Sequence, residues 1–263
     1  MKLLLLLLLA LPMIGFGQNV NIPNGIFKAY LVNNTAINTN GDYEIQVSEA
    51  SVFNGGINLY AGPGSGFGLG DGITDLTGIE AFVSLTSLVC SWNQLSSLNL
   101  SACTALTYLN CFSNYLTSLD VSANTALTTL YCYGNNLTSL DVSNNTALTG
   151  LDCSYNQLTS LDVRNGNNTN FYGFGTINNP NLTCINVDDA TWSTANWIGN
   201  NFDFDSQHYF SNNCSGTTSI QELNTNKKLL KVTDLLGRET KATNQVLIHI
   251  YDDGTLEKKI VFE

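Results

Sequence analysis

The apolar positions of this chain recur at a fixed step of 21 residues. Leu85, Leu106, Leu127 and Leu148 form one column, and Leu88, Leu109, Leu130 and Leu151 a second. Further columns are Cys90, Cys111, Cys132, Cys153, then Leu95, Leu116, Leu137, Leu158, then Leu98, Leu119, Leu140, Leu161, then Leu100, Val121, Val142, Val163. One polar column, Asn93, Asn114, Asn135 and Asn156, keeps the same step. A period of this length marks a solenoid, whose units bury their apolar side only against neighbouring units and therefore need caps at both ends. Within each unit the inward pair, such as Leu88 and Cys90, alternates with variable residues, which is the period of a strand. Stacked units then predict a parallel sheet with about 4.8 Å between rungs. The return half, "LTSLDVSANTA", is rich in Thr, Ser and Val and too short for a helix, so extended segments and turns are expected there as well.

Written out, the unit is LxxLxCxxNxLxxLDVSxNTA, which resembles the leucine-rich repeat pattern LxxLxLxxNxL with Cys at the third apolar place. The resemblance implies a β-rich leucine-rich repeat solenoid over residues 57–187. Degenerate copies mark its ends: Ile73 and Leu76 in "ITDLTGIEAFVSL", and Leu182, Ile185 and Val187 after the irregular "NGNNTNFYGFGTINNP". The asparagine side chains are expected to satisfy backbone groups at the turn that ends each strand. In-register cysteines would stand about 4.8 Å apart, wider than the Cβ separation of about 3.8 Å that a disulfide prefers. Buried free thiols are therefore expected on the ladder, with bridges as the alternative, and Cys103 is expected to be unpaired too. Cys184 and Cys214 are placed to form a disulfide closing a C-terminal cap, residues 188–214.

The ends of the chain differ in character. Residues 1–17 are an apolar run behind Lys2, with Gly15 and Gly17 before Gln18, the pattern of a secretory signal peptide and too short to span a membrane. Residues 18–56 are expected to form an N-terminal cap with a short amphipathic helix around Ile26, Tyr30 and Leu31. The oxygen-bearing residues Asn38, Asn40, Asp42, Glu44 and Glu49 that follow resemble an EF-hand or dockerin-like calcium loop, which would make calcium a cofactor. The loop departs from that pattern by Asn at its first place and Tyr43 where a glycine normally turns; turn formation within a cap is the competing reading. The glycine run Ala61–Gly72 is expected to be a flexible insertion. From residue 215 lysines reappear, and strand patterns fall around Leu229–Asp234, Val246–Tyr251 and Leu256–Phe262. The residues Asp234-Leu235-Leu236-Gly237-Arg238, Ile250-Tyr251-Asp252-Asp253-Gly254 and Lys258-Lys259-Ile260-Val261 resemble the C-terminal sorting domain of the type IX secretion system of Bacteroidota. That resemblance implies a small β-sandwich-like domain over 215–263, contact with the secretion machinery, and release or attachment at the cell surface. The chain as a whole is similar to the secreted leucine-rich repeat proteins of flavobacteria.

Charge narrows the function. There are 10 Lys and Arg against 21 Asp and Glu, and between Lys28 and Lys227 the only basic residue is Arg164. Nucleic-acid binding needs clustered cations and is excluded for this region. His208 and His249 have neither a Cys-His nor a Ser-His-Asp context, and the pairs Asp188/Asp189 and Asp203/Asp205 read as turn formers, so no enzymatic site is expected. The column Asp120, Asp141, Asp162 is expected to be relieved by amide hydrogen bonds, with calcium as the alternative. The variable outward positions remain: Trp92, Tyr108, Asn110, Phe112, Tyr131, Tyr133, Asp152 and Tyr155. Aromatic rings with polar neighbours are typical of interfaces, so this face is the candidate surface for a protein or glycan partner of a secreted or surface-bound monomer. The alternative is a structural role in the cell envelope or matrix, with the rings serving only cross-strand packing.

Overall fold

The computed structural model describes residues 17–63, 72–199 and 201–214, together with three strands between 229 and 261. Nearly all of the apolar leader, most of the glycine run, and the segments 234–238 and 252–254 lie outside the described residues. The chain forms two units, residues 1–214 and 215–263.

The first unit opens with two short helices, α1 (Gly25–Val32) and α2 (Val47–Val52). Asn24 starts α1, its side-chain oxygen accepting from the Phe27 amide at 2.9 Å, the usual N-cap bond. Phe27, Leu31, Ile37, Ile45 and Ala50 are buried and close the first rung of the core. Gly78 fixes this closure. It has φ +103°, and a Cβ there would stand 2.8 Å from Ile22 and 2.9 Å from the Asn21 carbonyl, so only glycine lets the N-terminal segment approach.

Between the two helices runs the loop of residues 38–46. Glu49 organises it: Oε1 accepts from the Thr39 amide (2.8 Å), the Thr39 hydroxyl (2.9 Å) and the Asn40 amide (3.1 Å), and Oε2 from the Gln46 amide (3.0 Å).

The repeats then stack as expected from their spacing. One parallel sheet of seven strands contains, in spatial order, β1 (Gly56–Asn58), β2 (Ser87–Val89), β3 (Tyr108–Asn110), β4 (Thr129–Tyr131), β6 (Gly150–Asp152), β8 (Gly173–Gly175) and β10 (Phe202–Asp203). The return halves build a second parallel sheet from β5 (Ser139–Asp141), β7 (Ser160–Asp162), β9 (Cys184–Asn186) and β11 (Tyr209–Ser211). Every central residue of β1 to β4 and β6, namely Ile57, Leu88, Leu109, Leu130 and Leu151, is buried between the sheets, and Phe174 takes the same rung in β8.

The asparagine column ties these rungs together. Asn135 accepts from the Leu116 amide at 3.0 Å and donates to the carbonyls of Cys111 (3.1 Å) and Cys132 (3.0 Å). Asn114 does the same with Leu95, Cys90 and Cys111, and Asn156 with Leu137, Cys132 and Cys153. Asn93 and Asn179 continue the series at its two ends. Each side chain therefore bridges two consecutive coils at groups that water does not reach.

A second column serves the return half. Asn124 and Asn145 donate to carbonyls of the preceding coil, Leu100 and Val121, at 3.1 and 3.0 Å. Cys103 holds that column's first place, and its thiol donates to the Ile79 carbonyl at 3.4 Å. On the surface beside it, Asp120, Asp141 and Asp162 each accept from the amide two residues on, Ser122, Ser143 and Arg164, at 2.8 to 3.1 Å. Their repulsion is thus offset by turn amides, and Asp162 is also paired with the Arg164 guanidinium.

The thiols of Cys90, Cys103, Cys111, Cys132 and Cys153 are all free and buried. Leu59 and Thr176 occupy the ends of the four-cysteine column, so it is a core rung from end to end. Burial pushes the Cys111 thiol up to about 12 and the Cys103 thiol up to about 11, and raises Cys90, Cys132 and Cys153 as well.

At the far end α3 (Ala190–Asn196), started by an Asp189 N-cap, delivers Trp197 into a cluster with Phe171, Phe174, Phe204 and Phe210. Strand β11 pairs with β9, and a disulfide joins Cys184 to Cys214 just beyond it. The second unit contains β12 (Leu229–Thr233), β13 (Gln245–Tyr251) and β14 (Leu256–Val261) in one antiparallel sheet, β13 central. The three strand patterns in the sequence fall on these strands, and the described part is a single sheet.

Three outcomes are expected. Asn135→Ala strands a buried amide and two carbonyls and should cost about 2–4 kcal/mol, measured by denaturant unfolding. Alkylation of the native protein near neutral pH should label none of the five free thiols, and all five after denaturation, counted by mass. For Glu49, burial alone would raise its pKa, but the donors from Gln46, Asn40 and Thr39 outweigh it and hold the carboxyl below its usual range. The folded pKa is the lower one, so the stabilisation is complete above the unfolded value of about 4.3 and is lost as pH falls through the folded value. Glu49→Gln should flatten the fall in Tm across that acid window.

Candidate functional site

The residues singled out in the N-terminal loop sit together on the cap. Asn38 donates to the carbonyls of Val32 and Asp42, Asn40 donates to Asp42 and Gln46, and Glu44 pairs with Lys28 at 2.6 Å. Glu49 is surrounded by N–H and O–H donors, a setting made for an anion. The loop is held by its own hydrogen bonds, and among the described residues no group of three or more His, Cys, Asp or Glu is gathered as a metal site.

The outward face of the seven-stranded sheet carries the aromatic positions. Pairing sets its columns: Ser87, Tyr108, Thr129, Gly150 and Gly173 lie side by side, and so do Asn58, Val89, Asn110, Tyr131, Asp152, Gly175 and Asp203. Phe112 and Tyr133 stack with centroids 4.3 Å apart and planes within 9°. Trp92 meets Phe112 edge-on at 6.3 Å, and Tyr108 meets Tyr131 edge-on at 6.0 Å. The expected patch thus consists of two ring groups on neighbouring columns. Ring contacts of this kind contribute about 0.5–1.5 kcal/mol each beyond area burial. Asn110 lies between the groups, its side chain accepting from the Phe112 amide at 3.4 Å.

Trp92 and Tyr155 stand at the rim, where each coil leaves the sheet. That place has positive φ in successive coils: Trp92 58°, Ser113 53°, Gly134 65°, Tyr155 53° and Asn178 60°. A left-handed backbone costs a non-glycine residue roughly 1–2 kcal/mol, so two bulky rings are held there against local preference. Both are exposed, at 46% and 59%.

Toward the C-terminal end the face changes. Tyr172 reaches back over Gly150, and its hydroxyl stands 3.1 Å from the Thr129 hydroxyl. A Cβ on Gly150 would lie 2.3 Å from that phenol oxygen, so the crossing requires glycine. Burial first, then a hydrogen bond with Tyr172 and the nearby Tyr108 and Asp152, push the Tyr131 phenol up to about 12. Tyr172, Gly173, Gly175, Asn201 and Asp203 join Tyr131 and Asp152 around a cavity of about 300 Å³. The periodicity does not extend to Tyr172, because the irregular segment before it breaks the 21-residue step. The signal available was "FYGFG", a strand with glycine at both outward positions.

No protein-family model matches the chain, and no curated protein matches it. Solved structures do. The functional domain of InlJ from Listeria monocytogenes, which includes a cysteine ladder, is 34% identical with a TM-score of 0.51 over 65% of this chain. The matched region spans 38% of the length of that domain. Two further Listeria monocytogenes structures, the internalins inlF and inlC2, match at 16% and 14% identity with TM-scores of 0.42 and 0.43; each covers 75% of this chain, and the matches span 72% and 92% of their own lengths. The InlJ match and the ladder of Cys90, Cys111, Cys132 and Cys153 agree on the architecture: the first unit is a leucine-rich repeat β-solenoid with cysteine in place of one leucine in four successive coils.

Proposed function

We propose that the protein is an exported recognition protein that holds a protein partner on the outward face of its seven-stranded sheet. The observation that carries this reading is the contrast between the two sides of the same strands. The inward side repeats Leu and Cys rung after rung, whereas the outward side varies and concentrates Trp92, Tyr108, Phe112, Tyr131 and Tyr133 within adjacent coils. Core packing needs no rings on the solvent side, while an interface gains most from Tyr, Trp and Phe at its centre. Trp92 and Tyr155, held exposed at backbone positions that disfavour them, add to the argument.

Export is supported by the leader-like residues 1–17 and by the sorting-domain resemblance of residues 215–263, which points to the type IX machinery and to release or attachment at the cell surface. No helix among the described residues is long and apolar enough to cross a membrane.

The test is a protein and glycan array probed with the purified chain, followed by the Tyr131→Ala/Tyr133→Ala variant. A specific hit is expected to weaken by about 2–4 kcal/mol, the range for central aromatic anchors, with the unfolding midpoint little changed. Binding that survives the double substitution would rule out the aromatic face as the interface.

A further inference from the structure

The cavity at the C-terminal end of the sheet has a composition of its own. Its floor is backbone, because Gly150, Gly173 and Gly175 supply three outward positions on two adjacent strands. Its walls are the rings of Tyr131 and Tyr172. Asp152 and Asp203 lie in one column on either side of Gly175, two strand spacings or about 10 Å apart along the sheet. Gly175 keeps the space before Asp152 open: a Cβ there would stand 3.0 Å from Asp152 Oδ1 and 3.0 Å from Ser154 Oγ. Ser154 is only 5% exposed and lines the cavity, and its hydroxyl has no hydrogen-bond partner among the described residues.

The charges decide what this cavity suits. Asp152 accepts one bond, from the Ser154 amide at 3.0 Å, which leaves most of its acceptor capacity unused. The three ion pairs among the described residues, Lys28–Glu44, Arg164–Asp162 and His208–Asp205, involve neither Asp152 nor Asp203. No lining residue is basic, and the chain has a net charge of −11. Ring faces are themselves attractive to cations. A neutral sugar could lie against the tyrosines but would leave both carboxylates uncompensated. A guanidinium or ammonium group would be drawn by both carboxylates and bonded by the Ser154 hydroxyl. The volume, at the small end for ligand pockets, suits one side chain.

We propose that this cavity is a subsite for a single basic side chain, arginine or lysine, of the protein partner. It rests on the reading of the sheet face as the binding surface and adds a charge-reading position at one end of it. The aromatic groups supply contact area, and the Asp152–Asp203 cavity selects a partner that places a cation beside them.

The experiment follows the amide signals of Gly150, Gly173 and Gly175 in the full chain, isotope-labelled on glycine, by NMR. The probes are N-acetyl-arginine amide, N-acetyl-lysine amide, the uncharged N-acetyl-citrulline amide and methyl glucoside. Saturating shifts at these glycines are expected with the cationic probes and should weaken as salt is added. Asp152→Asn/Asp203→Asn should lower the affinity by about tenfold or more, the equivalent of one lost charge contact. Gly173→Leu is a second, independent variant, because a Cβ there meets only the Asn201 carbonyl at an ordinary 3.6 Å and the added side chain would fill the cavity. It should abolish the shifts while leaving the unfolding midpoint in place. The proposal is overturned if the cationic probes leave the glycine signals unmoved, if citrulline or the glucoside moves them equally, or if both variants bind as the parent does. Those results would not touch binding at Trp92, Phe112 and Tyr133, which a Trp92→Ala/Tyr133→Ala variant on the array reads separately, because it leaves the cavity wall Tyr131 in place.

Discussion

The structure depends on one constraint: a coil of only 21 residues turns too tightly to satisfy its own backbone. At each turn an amide and two carbonyls are buried without a partner of their own, and such groups cost about 1–3 kcal/mol each if left unpaired. Asn93, Asn114, Asn135, Asn156 and Asn179 answer this with one acceptor and one amide donor group each. A leucine there would have no acceptor, and an aspartate no donor. Because each asparagine joins two coils, the bonds that close a turn also set the stacking register.

That register explains the cysteines. Once the coils are locked rung on rung, the space beside Asn93, Asn114, Asn135 and Asn156 is filled by the thiol three residues before each, and a small apolar side chain fits it. The same stacking that buries Cys90, Cys111, Cys132 and Cys153 deprives them of water and keeps them protonated, so a chain expected to be exported carries them as packing residues. The disulfide falls where stacking ends, between β9 and the segment after β11, where no following coil can hold the chain in place.

Locking the inward side frees the outward one. Nothing in the core specifies what stands at Tyr108, Phe112 or Tyr131, and the rings there pack on one another across the strands. The face is graded along its length: aromatic pairs over β2 to β4, then glycines over β6 and β8 with carboxylates on either side of Gly175. A partner would meet rings at one end and a negative cavity at the other.

The period of the leucines, the asparagine column and the strand alternation were enough to give the solenoid, its two β sides and its need for caps. These features are local and repeated, so each coil states them again. The free thiols and the Cys184–Cys214 bond could also be argued from stacking distance and position. Tyr172, Ser154 and Asp203 could not be gathered from the sequence. They belong to three successive coils, one of them out of step, and only the paired register of β6, β8 and β10 sets them around one space. The fate of Glu49 was equally hidden, since its place in a calcium-like spacing says nothing about which donors the folded loop turns toward it. The sequence by itself determined the coil and its core, because burial against an identical neighbour repeats in every unit. The tertiary structure alone decided the cavity, because its walls come from residues that have no relation until the coils are stacked.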